Sequence, residues 1–418
     1  MTLPSAEPPS AAGLARRLGT GDAVVIGLGS MMGAGVFAVW APAAQAAGVG
    51  LLIGLVLAAF VAYCNAVASA QLAAVYPVSG GTYVYGRERL GEWWGFLAGW
   101  AFLVGKTASC AAMALTFASY AVDGARWTQR LVAVVAVLAI AALNYRGVTR
   151  TAQLTRVMVA CTFVSLGVFV VAASTSSSAS SSHLRGWSDV SPYGVLQSAG
   201  LLFFAFAGYA RIATMGEEVR DPSRTIPRAI PLALGITVAA YVVVGVTALL
   251  VGGSELLRSS ASPLAAVLSA AGRGSVGPVV RVGAALASLG ALLALMTGIG
   301  RTTLAMARER DLPHGLAAVH LTYRVPHRAE IALALAVTAL VVTTDLRGAL
   351  GFSSFGVLIY YAVANASAFT QPAEDRRWLR ALQVIGLAGC LALAFSLPVA
   401  SVLTGLAVLA VGLLGRAV

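Results

Sequence analysis

Four glycines in nine residues, Gly27, Gly29, Gly33 and Gly35, interrupt an apolar run from Asp22 to Ala47 (DAVVIGLGSMMGAGVFAVWAPAAQAA) that is long enough to cross a bilayer. Glycine costs about 1 kcal/mol relative to alanine inside a helix, so the run is expected to open near its centre and free backbone N–H and C=O groups. At that depth free backbone groups are tolerated only where they are buried in protein or line a wet cavity. Freed N–H groups at Gly33, Ala34 and Gly35, next to the positive end of the helix that restarts there, suit a carboxylate. Freed carbonyls around Met31 suit an ammonium group. A second interruption lies five spans later, in Leu201–Arg211 (LLFFAFAGYAR), where Gly208 sits beside Phe203, Phe204, Phe206 and Tyr209. Phe204 is the aromatic expected to cover a bound molecule.

Each feature also has a plainer reading. Gly29 and Gly33 form a small-xxx-small face of the kind that packs helices, as do Gly50 with Gly54 and Gly95 with Gly99. The GxGxxxG spacing is not the GxGxxG of dinucleotide sites. What favours binding is the pairing of two broken spans at corresponding positions of two halves, the mark of a secondary transporter with its site at mid-membrane. Lys106 is the only lysine and stands in the middle of the third span. A lysine there is costly enough to serve function, as a group that exchanges protons, or to be held structurally by the carbonyls of a broken helix; both readings are open. Arg211, about five residues from the end of its span, can snorkel. The 16 acidic residues fall in tails, loops or the ends of spans.

The elements that must position these residues are membrane helices. Of 418 residues, 59% are hydrophobic and 11% charged, a composition that leaves a soluble surface nothing to be solvated by. Apolar runs fall at about 22–47, 50–75, 93–121, 131–144, 155–174, 193–216, 229–252, 277–306, 329–344, 348–369, 379–396 and 399–415. At ~1.5 Å per residue such runs fit a ~30 Å hydrocarbon core. The expected fold is therefore all-α with twelve transmembrane helices. An even number puts both termini on one side. Arginines crowd the loops of that side, against Arg126, Arg130, Arg185, Arg258, Arg273, Arg281 and Arg347 on the other, so both termini are expected in the cytoplasm and the protein in the cytoplasmic membrane. The parts expected are a disordered tail over 1–21, two inverted repeats over 22–175 and 193–369, and two additional spans over 379–416. The loops 174–192 and 253–276, rich in Ser, Gly and Ala, are expected to be flexible or lightly structured.

No apolar stretch in 1–21 reads as a signal peptide. Cys64, Cys110, Cys161 and Cys390 lie in apolar spans without CxxC spacing, which reads as core residues with neither disulfide nor metal. His183, His314, His320 and His327 read as loop residues. No HExxH, GxSxG or Walker lysine is present, so no enzyme, no cofactor and no nucleic-acid partner is expected.

Three motifs carry a family resemblance. Gly29-Ser30-Met31-Met32-Gly33-Ala34-Gly35-Val36-Phe37 resembles G-x-x-I-G-A-G-I-F; Tyr76-Pro77-Val78-Ser79-Gly80-Gly81-Thr82-Tyr83-Val84-Tyr85 resembles F-P-x-S-G-G-x-Y-x-Y; and the stretch from Phe203 to Ile230 resembles the sixth span and following E-E-x-x-x-P-x-R-x-I-P loop of the amino acid–polyamine–organocation (APC) superfamily of permeases. The branch most resembled is that of bacterial amino acid permeases related to cationic amino acid transporters. The resemblance implies a LeuT-like 5+5 inverted repeat with broken first and sixth helices, and transport of an amino acid by alternating access. It implies substrate binding by Ser30, Met31, Gly33, Ala34, Gly35, Phe204, Ala207 and Gly208, with carbonyls of Met31, Phe204 and Ala207 on the amino group. Tyr83, Tyr85, Glu218 and Arg224 would help to close the inner side. The coupling or gating candidates are Lys106, Phe204, Tyr209, Arg211 and Thr162, the last standing where many proton-coupled relatives have a lysine. A proton is the expected coupling ion, by symport or in an exchanger, with sodium as the other possibility through hydroxyls such as Thr162 and Ser288. With two cations and no acid inside the membrane, a neutral or anionic amino acid is expected. The other readings are a polyamine or cationic amino acid antiporter, a channel, and an amino acid sensor that does not transport.

Overall fold

The computed structural model describes residues 18–77, 80–147 and 152–417; most of the expected tail lies outside the described residues. The first apolar run folds as α1 (Thr20–Met31), α2 (Gly35–Ala38) and α3 (Trp40–Ala47), and α4 (Leu51–Val75) returns across the molecule. A short α5 (Thr82–Leu90) precedes α6 (Glu92–Ala121), α7 (Arg126–Tyr145) and α8 (Ala152–Ser174). The sixth run gives α9 (Pro192–Phe206), a 3-10 turn (Ala207–Tyr209) and α10 (Ala210–Ala213). Then come α11 (Pro222–Ser259), α12 (Pro263–Ala270), α13 (Gly277–Arg308), α14 (His327–Thr343), α15 (Leu346–Phe369), α16 (Arg380–Ser396) and α17 (Val399–Ala417). Among the described residues the only extended pairing is one bridge between Leu18 and Val219.

Among the described residues, ten helical segments are long and apolar enough to cross a membrane. The ninth and eleventh expected runs are helical too, but α14 and α16 have 17 residues each and fall short of that length. Ten crossings therefore follow from length, and the expected twelve depend on these two helices. The most apolar windows of Pro192–Ala213, which spans α9 to α10, and of α15 are 83% buried, against 28% in α7, 33% in α8 and 22% in α17, so the former make the core and the latter the rim. Val135, Val164, Val171 and Val411 stand exposed on that rim, as suits contact with lipid.

Local signals set the helix starts nearest the site. Ser191 accepts from the Gly194 N–H at 2.9 Å and Pro192 follows at the first helical position, a cap that fixes where α9 begins. Inside the core, Asn365 on α15 donates to Asn65 on α4 at 2.6 Å, and Gln71 on α4 donates to Gln371 at 2.6 Å, so polar pairs join α4 to α15 and the turn after it. One expectation is corrected here: the loop 253–276 is not lightly structured. The chain kinks at Gly253 (φ 68°), continues as helix to Ser259, and then forms α12, whose Leu264, Val267 and Leu268 are buried. A Ser-, Gly- and Ala-rich composition hid those three apolar side chains on one helical face. The preceding loop is also anchored, since Ser180 N–H donates to Leu250 O (3.0 Å) and His183 Nδ1 lies 2.8 Å from the same oxygen.

Candidate functional site

Both expected breaks are present. The Met32 N–H still donates to Leu28 O, the chain then bends, and helix resumes when Ala34 O accepts from Phe37 and Ala38. Among the described residues, no carbonyl accepts from the N–H groups of Gly33, Ala34 or Gly35. In the sixth run α9 tightens into a 3-10 turn as the Ala207 N–H donates to Phe204 O.

The two breaks lie backbone against backbone. A Cβ on Gly208 would come 2.6 Å from Met31 N and would also strike the Ser30 carbonyl, and one on Gly35 would come 2.8 Å from Ala205 Cα. Only glycine permits this approach. Tyr241 of α11 fastens the pair: its hydroxyl donates to Met31 O at 2.6 Å and lies 3.1 Å from Ala205 O.

A cavity of about 360 Å³ runs from the breaks to the face that carries α5 and the turn after α10. Every expected substrate-binding residue except Gly33 lines it. Gly33 instead turns to α13, where an added Cβ would meet that of Ala291 at 2.6 Å. Lys106 and Arg211 also line the cavity, but Thr162 and Tyr209 do not. Thr162 donates its hydroxyl to Met158 O at 2.9 Å within α8, and Tyr209 is buried behind the break, stacked on Tyr361 with ring centroids 5.0 Å apart. Ser288 is fully buried on α13 and, among the described residues, its hydroxyl has no partner.

Each carbonyl expected to receive an amino group already accepts from a donor of the protein. Met31 O accepts from Tyr241, Phe204 O from Ala207, and Ala207 O from both the Lys106 ammonium (3.3 Å) and the Tyr361 hydroxyl (3.2 Å). The physical reason is the cost of a bare carbonyl in a dry core, which the protein meets with its own donors. Lys106 is thus held by the carbonyl of a broken helix, and it reaches that carbonyl from within the cavity wall.

Beyond the breaks, on the side away from α5, lie buried aromatic side chains that do not line the cavity. Phe37 and Tyr120 meet edge to face at 5.7 Å, the Tyr120 hydroxyl donates to Phe37 O at 3.2 Å, and the Leu264 N–H of α12 donates to Tyr120 at 3.4 Å. At the near face Tyr83 lines the cavity and donates to Asp311 at 2.6 Å. Arg87 (3.0 Å) and Arg416 pair with the same carboxylate. Burial, reinforced by the Asp311 carboxylate, pushes the Tyr83 hydroxyl well above the usual phenol range, so it remains a donor. Of the expected closing residues, Glu218 lines the cavity and Tyr85 is buried with its hydroxyl on Ala213 O, whereas Arg224 pairs with Asp221 on the surface.

Arg301 is a lining residue that the sequence reading did not single out. Its signal was available, as a charge inside the run 277–306, but a place near the end of that run made it look like a loop arginine.

The description of an amino acid permease family matches residues 18–412. An uncharacterized transporter of Mycobacterium tuberculosis is 59% identical over 401 residues, covering 96% of this chain and 90% of that protein. The branched-chain amino acid permease BcaP of Bacillus subtilis is 28% identical over 340 residues (75% and 72%). A chloroplastic cationic amino acid transporter of Arabidopsis thaliana is 27% identical over 374 residues (83% and 64%). These are transporters rather than enzymes, and over nearly its whole length the chain belongs to the amino acid permease family of the APC superfamily.

Proposed function

We propose that the protein is a secondary active transporter that moves a neutral or anionic amino acid across the cytoplasmic membrane by alternating access, with both termini in the cytoplasm. The observation that carries this reading is the meeting of the two broken helices at a cavity that runs toward α5, with Phe37 and Tyr120 buried and packed together beyond the breaks on the other side. One-sided access to a mid-membrane site is what an alternating-access carrier has in each of its end states. The cargo's carboxylate takes the unpartnered N–H groups of Ala34 and Gly35, and Phe204 covers it. Gly33 supports this geometry through its contact with α13.

The halves 22–175 and 193–369 act as LeuT-like inverted repeats, with 379–416 added to them. Coupling is to a proton or to a second cargo molecule, and Lys106 is the residue placed to sense either, since it touches both the cavity and the sixth-span break. The test is counterflow in proteoliposomes preloaded in turn with neutral, acidic and basic amino acids and polyamines. Exchange with an amino acid class supports the reading; exchange only with polyamines, or saturation without counterflow, contradicts it. A pH or sodium gradient applied to the active class then identifies the coupling ion.

A further inference from the structure

We infer that the cargo is an amino acid with a second carboxylate, drawn in and held by the cationic side chains of Lys106, Arg211 and Arg301. The inference rests on the amino acid reading above and narrows it. Three cations, from α6, α10 and α13, line one cavity, and Glu218 is the one acidic side chain among the described lining residues. Among the described residues, three of the seven half-buried arginines pair with a carboxylate: Arg87 and Arg416 share Asp311, and Arg281 pairs with Asp123. Arg211 and Arg301 are exposed to the cavity and, among the described residues, form no ion pair within 4.0 Å, although Glu218 acts electrostatically on Arg211 and the buried Glu330 of α14 lies within the field of Arg301.

A cleft lined by three cations and one acid carries an excess of positive charge, which its low-dielectric walls focus on whatever enters, so it discriminates by net charge. A cationic amino acid is repelled and a neutral zwitterion gains little. An acidic amino acid supplies the missing counter-charge, with its extra carboxylate free to face the cations. Retention of arginines on one side of a membrane explains charges in loops, but Arg301 lies inside α13 and its side chain reaches the cavity.

The test uses shape-matched pairs that differ in charge. Counterflow by the full chain is measured with glutamate against glutamine and aspartate against asparagine, with arginine as the cationic reference. The acid of at least one pair is expected to exceed its amide by about tenfold or more, the scale of one well-placed charge interaction, and arginine is expected not to exchange. Arg301→Gln and Arg211→Gln each lower the acid-to-amide ratio severalfold, and Arg301→Lys retains it; thermal unfolding confirms that each variant is folded. Lys106→Gln, where it folds, lowers the ratio as well. Amides exchanging as well as acids, or a ratio unmoved by both arginine substitutions, overturn the inference while leaving the amino acid reading intact. Exchange with no amino acid at all overturns both.

Discussion

Gly208→Ala isolates the contact on which the site depends. The added methyl would sit 2.6 Å from Met31 N and nearer still to the Ser30 carbonyl, and both are backbone atoms that cannot swing aside. Carbon contacts settle at ~3.5 Å, so the sixth-span break must retreat from the first by roughly 1 Å. Forcing one extra carbon into a packed interior costs ~1–3 kcal/mol, which as a loss of affinity is about 5- to 150-fold. The assay is counterflow as a function of external cargo concentration, with thermal unfolding in detergent run in parallel. Gly235→Ala on α11 is the control, because a Cβ there meets nothing within 4 Å and alanine favours helix by about 1 kcal/mol. It should transport as the wild type does and unfold at the same or a higher temperature. A Gly208→Ala protein with wild-type affinity and wild-type unfolding would refute the claim that the two breaks form one unit.

Other substitutions probe the supports around that contact. Tyr241→Phe leaves Met31 O and Ala205 O without their hydroxyl donor in a dry core, for an expected loss of ~1–3 kcal/mol in unfolding free energy and weaker counterflow; unchanged stability contradicts the latch. Lys106→Met keeps length and removes the ammonium while Tyr361 still donates to Ala207 O, so the loss of stability should stay near ~1 kcal/mol. The pH profile of counterflow is the decisive readout for this variant: a changed profile makes Lys106 a coupling residue, and an unshifted one leaves it an anchor for the break. Asp311→Asn removes the carboxylate shared by Arg87, Arg416 and Tyr83. The cost should be about 2 kcal/mol, below the ~3–5 of a fully buried pair because Arg87 keeps 23% exposure. Hydrogen exchange at the end of α17 should quicken, and exchange that stays at the wild-type rate counts against the network.

Much of this arrangement can be read from residue types. The glycines at 27, 29, 33 and 35 announce an opened helix because glycine is the poorest helix former short of proline, and the unsatisfied amides appear where the sequence places them. Which amides and carbonyls stay free is another matter, since the donors that claim the carbonyls come from far along the chain: Tyr241 from α11, Tyr361 from α15 and Lys106 from α6. No local pattern marks Tyr241 as the partner of Met31. Gly33 illustrates the same limit. It belongs to the glycine run, yet the rotation of the chain at the bend turns it toward Ala291 and away from the cavity. Thr162 stands out through the family resemblance and Tyr209 through its place beside the second break, and neither ground says which way a side chain points. Arg301 went unnoticed for the opposite reason, as a charge near a span end looks solvated until the cavity beside it is seen.

In the proposed transporter the cargo sits where the two broken helices meet. A structure of the protein determined with a transported amino acid should show the carboxylate within hydrogen-bond reach of the Ala34 and Gly35 N–H groups, with Phe204 against the cargo and Tyr241 still joined to Met31 O. A cargo bound elsewhere in the cavity, with those N–H groups unengaged, would contradict that placement.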